Sequence, residues 1–181
     1  MLKVNKLKLS AAAAALLTFS ACAVGHGNHD HGHGHGHDMH HGGHSMAEFT
    51  GKESTLDSVE FSRCWVRLVP ERPSAAYFEL KNTGSETITL IGARATNFHD
   101  VMLHQTVVKD GSSKMINLDK LALEPGQTAV FKPKDNHVML TADSADVVKV
   151  GDKINLEFKF EGDKVATTEC VVKPINAISF D

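Results

Sequence analysis

The chain has 181 residues, 41% of them hydrophobic, and its 19 basic against 22 acidic side chains give a formal net charge of −3. Nothing in that balance invites nucleic acid, whose recognition needs a basic surface. There is no nucleophile motif and no pair of carboxylates beside a metal motif, which argues against hydrolytic chemistry.

The N-terminus, MLKVNKLKLSAAAAALLTFSACAV, carries three lysines and no acid, then an apolar run too short to span a bilayer, then small residues. That order predicts a secretory signal over residues 1–21. TFSAC resembles a bacterial lipoprotein box, in which Cys22 is acylated and becomes the mature N-terminus, although Phe19 stands where Leu is usual. Cleavage after Ala23 is the alternative. Losing Lys3, Lys6 and Lys8 leaves 16 basic against 22 acidic residues, a formal charge of −6. The mature chain is expected in the periplasm, touching a membrane only through lipid. If Cys22 is consumed, Cys64 and Cys170 remain as one even pair in an oxidising compartment, and a disulfide is the simplest reading.

Residues 22–57 include HGNHDHGHGHGHDMHHGGHSM, where nine of the twelve histidines fall. Beyond Met39, Met46, Phe49 and Leu56 there is little apolar surface to offset the entropy of ordering, so a disordered tether is expected. The interleaved Gly, Asp and Met set the stretch apart from a purification tag. His26, His29, His31, His33, His35, His37, His40, His41 and His44 are accessory metal candidates for Cu(II) or Zn, because neutral imidazole is the commonest protein ligand for such ions. Composition names no single metal.

From residue 58 to about 175 the texture changes to short runs: SVEFSRCWVRLV, AAYFELKN, ETITLIGARA, VMLHQTVV, QTAVFK, HVMLT, INLEFKF and VATTECVVK. Turn signals such as NTG, KDGS, EPGQ and EGDK separate them. INLEFKF alternates apolar and polar residues, the period of a half-buried strand, and no stretch sustains a helical period. The expectation is one all-β domain, a sandwich or barrel, with Trp65, Tyr77 and several Phe filling its core and a short tail at 176–181.

Within that domain stand His99, His104 and His137, with Met102, Met115 and Met139. HVM puts His137 and Met139 two apart on a strand, hence on one face. VMLHQTVVKDGSSKMIN reads as a hairpin turning at Asp110-Gly111, which places Thr106 opposite Met115 and makes His104 its diagonal neighbour. Met102 shares the His104 face as an outer candidate, whereas His99 is read as an ordinary polar residue. Two imidazoles and two soft, uncharged thioethers suit Cu(I) and offer little to Zn, Mg or Ca.

His104, ten residues, Met115, twenty-one residues, His137, one residue, Met139 is H-x10-M-x21-H-x-M, and the sequence resembles the periplasmic copper chaperones of the PCuAC family. CWVRLVP, AAYFELKNTG, LALEPGQTAVFKPKDNHVML and VGDKINLEFKFEG extend the resemblance from about Val59 to Val172. It implies a cupredoxin-like β-barrel that binds Cu(I) through His104, Met115, His137 and Met139. The ion would be delivered toward the copper subunit of cytochrome c oxidase, often alongside a Sco-type protein, by a monomer that is not an enzyme. Gln105, Ser113 and the KDN turn before His137 depart from family usage without removing a ligand.

Two other functions compete. A blue-copper electron carrier needs a thiolate with His and Met shortly downstream, yet Cys170 is followed by VVKPINAISFD and Cys64 by WVRLVPERP. A buffering or sequestering protein acting mainly through the histidine-rich tail is the alternative.

Overall fold

The computed structural model describes residues 47–144 and 146–181; the signal segment, Cys22 and the nine tail histidines lie outside the described residues. Eleven strands and no helix occur among the described residues: β1 Ser54–Thr55, β2 Val59–Arg67, β3 Ser74–Asn82, β4 Ile88–Ala95, β5 Phe98–Lys109, β6 Ser112–Asn117, β7 Leu121–Leu123, β8 Thr128–Phe131, β9 His137–Ala142, β10 Lys153–Phe160 and β11 Lys164–Lys173. Hydrogen bonding runs in the order β6-β5-β9-β3-β2-β11-β10-β4-β7, with β1 added to β11 and β8 to β3. The sheet folds over so that β4 and β5 lie beside each other without pairing. It is therefore all-β, as the alternation and turn signals predict, but an open sandwich and not a closed barrel.

The core forms where alternating apolar positions of the two layers meet. Leu156, Phe158 and Phe160 of β10 are inward and fully covered. Phe78 stacks on Phe131 at 4.3 Å between ring centroids and meets Phe158 at 4.7 Å in a tilted contact. Burying each such side chain stabilises the fold by about 1.5–3 kcal/mol.

Trp65 and Tyr77 are buried, at 3% and 2% exposure, but they stand outside this core. The reason is a bulge in β2 between Ser62 and Trp65, where Arg63 takes φ 54°. An extra residue shifts the alternation, so Cys64 turns inward and Trp65 pairs with Tyr77 on the outer face. Cys64 is joined to Cys170, which links neighbouring strands β2 and β11 across 106 residues of chain.

Residues 47–57, which composition assigned to the tether, take part in the fold. They form a strap along β4, β10 and β11. Ser54 and Thr55 pair in parallel with Lys164 and Val165, and Leu56 enters the core. The Arg94 guanidinium lies 4.5 Å over the Phe49 ring. Lys159, whose alternation points it outward, is sealed beneath the strap against Glu53 at 3.1 Å, the two side chains being 7% and 3% exposed. Sequence texture could not show this, because the strap is held by one buried ion pair and two apolar residues. Backbone N–H donation at Glu53, then at Thr50, and the Lys159 ammonium hold the Glu53 carboxyl down at about 2 against the opposing effect of burial.

Two outcomes follow. Because the folded pKa of Glu53 lies below the ordinary 4.5, its contribution is complete above pH 4.5 and is lost as pH falls toward 2. Glu53→Gln should lower the thermal midpoint at neutral pH, and its gap from wild type should close across that acid window in a melting series. Removing the disulfide with C64A/C170A should cost up to ~4.7 kcal/mol on chain-entropy grounds, read as a shift of the denaturant midpoint.

Candidate metal centre

The site is assembled on one face of β5, β6 and β9. Antiparallel pairing sets His104 opposite His137 and Met102 opposite Met139. Across the other edge of β5, Thr106 lies opposite Met115 and His104 opposite Asn117. Residues two apart share a face, so Met102, His104, Met115, His137 and Met139 converge. The hairpin that carries Met115 turns at Asp110 and Gly111, whose φ values of 52° and 75° give the tight primed turn that this dipeptide favours.

Burial grades across the cluster. His104 and His137 are 7% and 6% exposed, Met102 and Met139 are half-buried, and Met115 is 51% exposed on an edge strand. The two imidazoles meet edge to face at 5.7 Å between centroids and 75° between planes.

His137 is oriented by the turn that precedes it. Its Nδ1 lies 2.9 Å from the Asp135 carbonyl oxygen, which can only accept, so Nδ1 carries the proton. Nε2 is then the nitrogen with a lone pair, the usual arrangement of a ligating histidine. The same carbonyl accepts from the Thr106 N–H at 3.3 Å, which ties the turn to β5. Lys134 in this turn has φ 67°, a conformation that glycine adopts at little cost and other residues seldom take. No side-chain pattern pointed to the Asp135 carbonyl, because a backbone acceptor leaves no mark in sequence.

On the far side of His137 lies Tyr77, 6.5 Å away between ring centroids, with Trp65 a further 4.6 Å beyond. Burial pushes the Tyr77 phenol up while Arg67 opposes it, and Arg67 donates to the phenol oxygen at 2.7 Å. This aromatic layer dries one flank of the cluster. His99 stays apart, beyond a bulge in β5, with its ring against the exposed Asp143 at 2.9 Å. Among the described residues no three His, Cys, Asp or Glu side chains gather around one point, so the convergent donor set is one of imidazole and thioether.

Residues 59–172 match the family described as "Putative lipoprotein LpqE-like". A protein of Leifsonia xyli subsp. xyli (strain CTCB07), named "Putative lipoprotein Lxx21020", is 30% identical over 128 residues, which is 70% of this chain and 75% of that protein. The solution structure of apo-DR1885 from Deinococcus radiodurans superposes on 71% of this chain and 88% of its own, at 26% identity and a TM-score of 0.51. The copper-bound PCuAC domain from PmoF2 covers 67% of this chain and 97% of its own at 21% identity, a likeness of fold with a TM-score of 0.53. The chain thus belongs to the LpqE-like family, and its folded part has the architecture of a PCuAC domain.

Proposed function

We propose that this chain is an exported copper chaperone that carries Cu(I) as cargo on His104, Met115, His137 and Met139. The observation that supports it most is the register that pairs the two histidines and brings thioethers to the same face. Thioether sulfur is soft and needs no deprotonation, which favours Cu(I) over the harder divalent ions. A structure with the same fold is described as copper-bound.

The site lies at the surface, with its histidines covered and one thioether open, which suits an ion that must be held and then released. Delivery to the copper subunit of cytochrome c oxidase or another exported cuproprotein, with a Sco-type protein as a partner, is the reading carried over from the PCuAC resemblance. The lipoprotein names of the family and of its Leifsonia member favour export and a lipid anchor at Cys22, on a chain read as a periplasmic monomer. Residues 1–21 then act as its signal.

The nine tail histidines serve as an accessory collector for copper, with Cu(II) or Zn as further ions they can take. Holding captured ions on the same chain raises their effective concentration at the domain without any new contact. Solvated imidazole titrates near ~6.5, so metal on the tail should leave as pH falls through that value, whereas thioethers do not titrate.

Met115→Leu with Met139→Leu roughly keeps side-chain volume and removes two soft donors. In a chain whose nine tail histidines are replaced by Asn, the double variant should fold and lose tight Cu(I) in an anaerobic chelator competition; unchanged affinity would refute the assignment. Separately, strains lacking residues 26–46 should mature their copper oxidase normally when copper is ample and poorly when it is scarce, while H104A/M139L should fail in both. The reverse pattern would make the tail a buffer and the domain its carrier.

A further inference from the structure

We propose that Met102 is a further thioether donor of the copper site, one that replaces Met115 when the ion is handed to an acceptor. The proposal rests on the reading of this cluster as a Cu(I) site. Its basis is the ladder itself. Met102 stands directly opposite Met139, one outward pair along from His104 and His137. Directly opposed side chains on one face have Cβ atoms ~4.5–5.5 Å apart. Met102, Met139, His104 and His137 thus make a square of donors carried by a single strand pair.

Met115 reaches His104 differently. It comes from the edge strand β6, paired with Thr106, and is only the diagonal neighbour of His104. It is also 51% exposed, on the same face of the hairpin as Val108 at 70%. An acceptor approaching that apolar hairpin meets the Met115 sulfur first. The opposite end of the cluster faces the seam between β4 and β5, where Met102 lines a cavity of about 170 Å³ together with Phe98, Leu103 and Gly92. An unbranched thioether side chain beside open volume can change rotamer without displacing its neighbours.

The exchange balances without a co-reactant. The bond from copper to the Met115 sulfur breaks as the bond to the Met102 sulfur forms, and both donors are neutral. Copper stays Cu(I), no proton moves, and the coordination position on the hairpin side opens for a donor of the acceptor. His104, His137 and Met139 hold the ion throughout.

The test uses the chain with its nine tail histidines replaced by Asn, and copper K-edge absorption to count sulfur neighbours. The parent should show two. M115L should still show two, because Met102 steps in, with affinity reduced about tenfold or less. M102L should bind within about threefold of the parent yet release Cu(I) to a bidentate chelator roughly tenfold more slowly in stopped flow. M102L/M115L should show one sulfur and lose at least ~tenfold more affinity than the product of the single losses. One sulfur in M115L, a double variant that equals that product, or parent-like release from M102L would each overturn the proposal. A parent that binds no Cu(I) would instead overturn the copper-site reading beneath it.

Discussion

Side chains on paired strands cannot choose their faces independently, and the whole site depends on that restriction in the β5–β9 ladder. Pairing His104 with His137 commits Met102 and Met139 to the outer face and sends Leu103 and Val138 into the core. A slip of β9 by one residue would expose Val138 and drive His137 and Met139 into the apolar layer. Burial of Val138 alone favours the observed register by about 1.5–3 kcal/mol. The donors are thus aligned by residues that never touch the ion.

Around this ladder the environment is one-sided. Tyr77 and Trp65 flank His137 under cover, and they are there because the Arg63 bulge turns Trp65 out of the core. Met115, on the last strand of the sheet, remains open. A dry, rigid flank holds the imidazoles in place, and an exposed thioether on the other flank leaves a path for exchange. The Asp135 carbonyl couples the two, since it orients His137 and is bonded to the β5 backbone at Thr106, the residue facing Met115.

The unpaired seam between β4 and β5 is the other consequence of the open sheet. The strap reaches it: Ala47 and Phe49 line the same cavity as Met102. A Cβ built on Gly92 would come within 2.4 Å of the Ala47 Cβ, so glycine there is what lets the strap lie flat on β4. The Glu53–Lys159 pair fixes the strap farther along.

Much of this was legible in the residues themselves. Period-two alternation in INLEFKF and HVMLT dictates strands and Asp110-Gly111 dictates the hairpin, because each depends on contacts local in sequence; imidazole and thioether chemistry offered the candidate donors, and the family resemblance singled out four of them. The tertiary structure alone decided that Met102 faces Met139, since cross-strand register links residues thirty-seven positions apart. It alone decided that the Asp135 carbonyl sets the His137 tautomer, that Trp65 and Tyr77 leave the core, and that residues 47–57 join the fold. Each of these turns on a backbone acceptor, a bulge or a buried ion pair whose partners are distant along the chain. Local pattern records which side chains are available; only long-range pairing brings particular ones within bonding distance.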